Sequence, residues 1–312
     1  MATELKRKKV GWYFITPVGI LLGIFLLYPI FYSLYLTLTS TRGTLTQFTG
    51  LANYRKLFSD PSFFKALKNT FRILFLQVPL MLVLALIFAA MLNSKKLKFR
   101  GFFRTAIFLP SVTSLIAYTI LFKMLFAYDG LVNSTLIKIH LLDAPIAWMQ
   151  APGTATFVLI LAMIWRWTGY NMIFYLSAMQ NISGDLYEAA SIDGASSSQG
   201  FFKITLPLLK PMILFTTVMS TIGTLQLFDE PMNFSAGGTT ASMVGPDNCF
   251  LTLSVYIYNL CFKYTPKFGY AATVSYAILI IVAILTIIQF RVSEDSDVRL
   301  ERKMAKAIKR GN

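Results

Sequence analysis

The chain has 312 residues, of which 55% are hydrophobic and only 14% charged. A soluble domain carries about 25% charged residues, so neither a water-facing globular surface nor a disordered chain fits this composition. The net charge is nonetheless +15, from 29 basic and 14 acidic residues; a nucleic-acid binder would share the charge but not the apolar bulk, whereas a polytopic membrane protein with its bases on one side accounts for both.

The first apolar run, 12–38, follows Lys6, Arg7, Lys8 and Lys9. It is longer than the roughly 7–15 residues of a signal-peptide core and lacks a small-residue cleavage site, so it reads as a retained span. The segment 39–72 carries six bases, yet Leu51, Tyr54, Leu57, Phe58, Phe63, Phe64 and Leu67 are spaced as in short amphipathic helices on a membrane surface. Further runs lie at 73–93, 105–128, 154–179, 206–228 and 270–290, interrupted only by Lys123, Arg166 and Lys210. Each is close to the roughly 20 residues that a helix needs to cross a bilayer. The expected fold is therefore all-α: a polytopic membrane protein of six transmembrane helices over 12–290. It is flanked by a basic N-terminus, 1–11, and a tail of mixed charge, 291–312, that suits anionic lipid.

Orientation follows from the short loops. Lys95, Lys96, Lys98, Arg100 and Arg104 crowd 94–104 without an acid, and the N-terminus and tail are also basic; 129–153 and 229–269 are nearly free of bases. The positive-inside rule places both termini and 94–104 in the cytoplasm. The bases of 39–72, which this topology puts outside, are its one misfit.

The cytoplasmic loop 182–205 is more than a connector. Ser183 is placed to cap a helix, Asp185 and Glu188 suit its first turns, and Gly194 is placed to end it. Phe201, Phe202, Ile204 and Leu206 then form a second amphipathic piece before Pro207 and Pro211. Small residues at Ala189 and Ala190 allow close approach of another surface; a helix that merely closes the loop is the other reading.

Glu188-Ala189-Ala190, three residues, Gly194, nine residues, Ile204, one residue and Leu206-Pro207 resemble the EAA loop of bacterial ABC importer permeases. The Asp193-Gly194-Ala195 context and the run from Leu206 to Pro211 resemble the carbohydrate-uptake branch. So do Gly50-Leu51-Ala52-Asn53-Tyr54 with Asp60-Pro61, Phe228-Asp229 with Gly237-Gly238, and Gly269-Tyr270-Ala271. The resemblance covers 11–290. It implies a type I ABC importer permease fold and a function as the transmembrane permease subunit of an ATP-driven, binding-protein-dependent importer of a sugar or oligosaccharide. It also implies a second, homologous permease, two copies of an ATPase subunit and an extracytoplasmic solute-binding protein as partners, in the bacterial cytoplasmic membrane. Glu188, Ala189, Ala190, Asp193, Gly194, Leu206 and Pro207 are the expected ATPase-coupling residues. No Gly-Lys-Ser or Gly-Lys-Thr occurs, so the phosphate loop of an ATPase is missing; ATP and Mg are expected on the partner subunits, with no cofactor and no nucleic acid on this chain.

Polar residues inside the spans are expensive and point to a path. Arg166 and Tyr170 lie four apart on one helix face beside Asn171, and rings with planar polar groups suit a sugar. Arg166 could instead pair with Asp229 and hold the bundle. Ser220, Thr224 and Gln226 follow in the fifth run, with Asp229 at its end; Ser and Thr also serve as helix-packing glue. Together these seven are the expected substrate path. One histidine, His140, and two cysteines, Cys249 and Cys261, leave no metal site and demand no disulfide. An ion-driven secondary transporter is the alternative, but paired acids within the spans are missing; an intramembrane enzyme would need a dyad that the spans lack.

Overall fold

A computed structural model describes residues 13–42, 45–94, 97–235, 244–263 and 265–293. The expected basic N-terminus, the tail beyond Ser293 and the Gly237-Gly238 pair lie outside them. The chain is mostly helical. In order it forms α1 (Tyr13–Thr37), β1 (Thr39–Arg42), β2 (Leu45–Phe48), α2 (Ala52–Leu57), α3 (Pro61–Asn93), α4 (Arg100–Val112), α5 (Leu115–Leu125), α6 (Leu131–Lys138), α7 (Pro152–Gln180), α8 (Gly184–Ile192), α9 (Ser197–Leu208), α10 (Lys210–Leu225), α11 (Asp229–Ser235), α12 (Leu253–Tyr258) and α13 (Phe268–Ser293).

Four helices, α1, α3, α7 and α13, are long and apolar enough to cross a membrane. The pairs α4–α5 and α9–α10 pass the same test together, bent by 99° and 62°, which brings the number to six if each pair is one span. The first bend lies within the run read from sequence as a continuous helix, 105–128. Pro110 removes a donor there, and Thr113 and Ser114 are extended, with ψ of 146° and 135°. The hydroxyls of Ser111 and Thr113 donate to the Phe108 and Pro110 carbonyls, both at 2.7 Å, and so satisfy groups that the bend exposes. The second bend lies between Pro207 and Pro211, neither of which has an N–H to donate.

The chain divides into two compact units. One holds the chain up to Phe64 with Tyr256–Leu279; the other holds Lys65–Val255 and the chain from Ile280 onward. In the first, a β-hairpin pairing Thr39 with Phe48 and Ser40 with Gln47 precedes the surface helices expected over 39–72; the first of these forms as α2, and the second, at Phe63–Leu67, is the opening of α3. The Asn53 side-chain amide donates to the Thr37 and Thr39 carbonyls at 2.8 and 2.7 Å. Gly269 lets α13 approach the same corner, where a Cβ would be driven into the Thr39 carbonyl. Asp60 caps α3, accepting from the Ser62 N–H at 2.9 Å, with Pro61 at the first helical position. Its carboxylate also accepts from the hydroxyls of Tyr256 and Tyr270. Burial alone would push its pKa up, but these donors outweigh it and hold the carboxyl below its usual value.

The second unit carries the bundle that matters for the site. Ala85, Ala89 and Leu92 of α3 pack on Met172, Tyr175, Leu176 and Met179 of α7 and on Leu209. The small residues of α3 are fully buried and four apart, the spacing that allows membrane helices close contact. Gly169 does the same between α7 and α4, for a Cβ there would meet the Ile107 carbonyl. Three side-chain bonds tie α10 into this bundle. Thr224 donates to Gln77 of α3 at 3.1 Å, Thr216 shares a bond with Tyr175 of α7 at 2.7 Å, and Thr221 accepts from Gln289 of α13 at 2.7 Å.

Candidate substrate path and coupling loop

A cavity of about 350 Å³ opens among α3, α7, α10 and the start of α11. That lies within the roughly 300–1,000 Å³ range of small-molecule sites. Its wall is mixed. Trp167, Tyr170, Phe174 and Phe215 supply ring faces, while Gln77, Asn171, Thr216, Ser220, Thr224 and Gln226 supply amides and hydroxyls. Trp167, Tyr170 and Phe174 stand edge to face along one side of α7, with centroids 5.8 and 5.1 Å apart in turn.

Six of the seven residues expected on the path, Tyr170, Asn171, Ser220, Thr224, Gln226 and Asp229, line this cavity. Arg166 does not. Its guanidinium lies over the Tyr118 ring of α5 at 4.6 Å and near the Trp167 ring at 5.4 Å. Its Nε and Nη1 are buried without a hydrogen-bond partner, and no ion pair joins it to Asp229; the pairing among the described residues is Lys65 with Asp247. Sharing a helix face with Tyr170 did not decide its direction, because an aromatic face on the neighbouring helix drew the cation away.

Two lining residues outside that expected set are Gln77 and Glu230. Gln77 is the one amide in the interior of the charge-free run 73–93, which was the available signal, and its partner Thr224 was already among the residues expected on the path. The amide nitrogens of Gln77 and Asn171 both donate to the Met81 sulfur, at 3.1 and 3.6 Å. A thioether is a weak acceptor. Gln77 and Asn171 are 2% and 4% exposed; Asn171 also donates to the Trp167 carbonyl at 3.0 Å, so it is the Gln77 amide that faces the cavity with a second-rate partner that a ligand oxygen could replace.

The loop 182–205 folds as its sequence dictates. The Ser183 hydroxyl accepts from the Asp185 N–H at 3.3 Å and opens α8. Gly194 ends it with φ at +78°; the Gly194 N–H reaches the Ser191 carbonyl at 3.1 Å and the Ala195 N–H the Ala190 carbonyl at 2.9 Å. Ser196 and Gln199 then form a capping box that starts α9. The Tyr187 hydroxyl bonds Thr205 at 2.8 Å, holding α8 to α9. Ala190, Asp193, Gly194, Lys203 and Ile204 line the groove between these helices. Glu188 and Ala189 are exposed on α8, as are Leu186 and Ile192. Ile192 is 86% exposed. Leu206 and Pro207 lie beyond the groove at the end of α9, the first half-buried and the second exposed.

Comparison with known proteins decides the family. Residues 81–294 match the family described as the binding-protein-dependent transport system inner membrane component. The chain belongs to that family. It is 53% identical to the lactose transport system permease protein LacF of Rhizobium radiobacter, over 91% of this chain and 94% of that one. It is 33% identical to the arabinooligosaccharides transport system permease protein AraP of Bacillus subtilis, over 92% and 89%. In fold it resembles a chain of a bacterial ABC transporter for import of the acidic polysaccharide alginate, with TM-score 0.79 at 23% identity over 93% and 97% of the two chains. As an inner membrane component, this permease crosses the membrane several times and works with partner components; it is not itself a catalytic enzyme.

Proposed function

We propose that this permease forms half of the translocation path of an ATP-driven importer for a sugar or oligosaccharide, with the cavity among α3, α7 and α10 as its substrate path. The convergence of Tyr170, Asn171, Ser220, Thr224, Gln226 and Asp229 on one cavity carries this reading. Rings can lie against the apolar face of a sugar while amides and hydroxyls bond its oxygens. The relatives named for lactose and arabinooligosaccharides support a saccharide cargo.

Energy reaches the path through α8. Its exposed Glu188 and Ala189, the Gly194 turn and the groove beside it present a short helix to each ATPase subunit, two of which serve this permease and a second one. The phosphate loop is missing from this sequence, which supports ATP and Mg acting on those partners, with no cofactor here. An external binding protein delivers cargo to the side away from α8, and the basic loop 94–104 supports cytoplasmic termini. Uptake into vesicles reconstituted with the partner subunits tests this: lactose should enter only with ATP and the binding protein. Uptake driven by an ion gradient without ATP would sink the proposal in favour of a secondary transporter.

A further inference from the structure

The sugar-binding reading of the cavity explains its rings, amides and hydroxyls but not its charge. Two of its lining residues are carboxylic acids, Asp229 and Glu230, and no lysine or arginine lines it among the described residues. Glu230 is 6% exposed, yet among the described residues the one side-chain hydrogen bond it accepts comes from Trp167 Nε1 at 3.3 Å. A carboxylate has about four acceptor sites, so most of this buried acceptor capacity is unfilled by protein. Arg166 forms no ion pair with either acid: its guanidinium lies over the Tyr118 ring. Asp229, beside it in the chain, is exposed and also lines the cavity.

A largely buried carboxylate with spare acceptor capacity gains from any group that donates to it. Sugar hydroxyls are such donors and bring no charge. A saccharide bearing a carboxylate or sulfonate brings a second anion into a partly desolvated space, where like charges repel far more than in water. The donors that could offset this, the Gln77 and Asn171 amides, are neutral.

We propose that Asp229 and Glu230 make this cavity a charge filter, which takes uncharged, hydroxyl-rich saccharides through hydrogen bonds to the two carboxylates and rejects acidic ones. Trp167 holds Glu230 toward the cavity and offers its ring to the same ligand. The proposal rests on the cavity being the substrate path, and it names the charge class that the path accepts.

The test uses the complete transport complex in nanodiscs, without binding protein, so that only the membrane path selects. Two matched probes are titrated while tryptophan fluorescence is followed, with Trp167→Phe as the signal control: galactobiose, and digalacturonate, which differs from it by its carboxylates. Galactobiose is expected to bind at least about tenfold more tightly, because like-charge juxtaposition opposes the acid. In Asp229→Asn/Glu230→Gln the gap should close to within roughly threefold, through tighter binding of digalacturonate. Asp229→Asn alone, at an exposed position, should narrow it part-way if the double variant fails to assemble. Equal affinities in the unaltered complex would overturn the charge filter and leave the path reading standing. Binding of neither probe by a complex that still transports would overturn the path reading, and the filter with it.

Discussion

Gly194 is where sequence, backbone geometry and coupling meet most sharply. Its φ of +78° is a left-handed conformation, and an added Cβ meets no atom within 4 Å. A substitution there is therefore opposed by backbone strain and not by a clash. For a residue with a Cβ the left-handed conformation costs roughly 1–2 kcal/mol, with Asn and Asp the mildest exceptions. At about 1.4 kcal/mol per tenfold, that is a shift of roughly five- to thirtyfold away from the turn that carries the Gly194–Ser191 and Ala195–Ala190 bonds. Uptake should fall in the order Gly, Asn, Ala, Val, with Val worst because it is β-branched. The assay pairs ATP-driven uptake with recovery of the ATPase on purified permease, both normalised to inserted protein. Insertion should stay unchanged across the series, since the site is exposed and lies outside the bundle. If Ala and Asn behave alike, or if all four retain full uptake, the left-handed turn is not what the coupling loop needs. A loss of inserted protein in Ala would equally refute the argument, by making Gly194 a folding residue.

Gly169→Val should lower the thermal midpoint and the yield of folded permease. Its side chain would enter the Ile107 backbone, and overpacking of this kind costs typically about 1–3 kcal/mol; an unchanged midpoint would mean that α4 and α7 need no close approach. Arg166→Met should leave ATP-driven uptake and assembly near normal, because it removes buried Nε and Nη1 groups that have no partner while keeping bulk against Tyr118; selective loss of sugar-stimulated uptake in a fully assembled complex would return the guanidinium to the path. Asp60 has its carboxyl held below the usual 3.8, so its bonds to Tyr256 and Tyr270 favour the folded state above that value and are lost as pH falls through and below it. Thermal midpoints taken from pH 7 to pH 3 should drop in the unaltered protein. The drop should shrink in Asp60→Asn, and an identical pH profile in both would remove Asp60 from the account.

Much of this was legible because membrane constraints are strong. Spans declare themselves by length and missing charge: α1, α7 and α13 follow the runs closely, whereas α3 begins at Pro61, ahead of the run 73–93, because the charged first turns carry no apolar run. The loop 182–205 was equally legible, because Ser183, Gly194 and the capping residues act within a few positions of where they stand. What sequence could not supply was direction. The bend after Pro110 needed the hydroxyls of Ser111 and Thr113 to make it affordable in lipid, and either could have been surface polarity in a straight helix. The hairpin at Thr39–Phe48 depends on its pairing across a turn, not on a local period. Arg166 turned on the placement of Tyr118, which is 48 residues away in the chain and adjacent only in the fold. Gln77 reached the path through a bond to Thr224 across α3 and α10, a relation that no spacing encodes.

The central claim is that cargo passes through the cavity among α3, α7 and α10 and that ATP governs its access. A cysteine at Ser220, on the cavity wall, reports on this directly. Cys249 is a quiet background: burial pushes its thiol up to about 11, which leaves little reactive thiolate at neutral pH, and Cys261 can be replaced by alanine. In the assembled complex, Ser220→Cys should react with a small charged thiol reagent from one side of the membrane when the ATPase is nucleotide-free and from the other when it is held with ATP, and lactose should protect it in both. Labelling indifferent to nucleotide and sugar would contradict the claim.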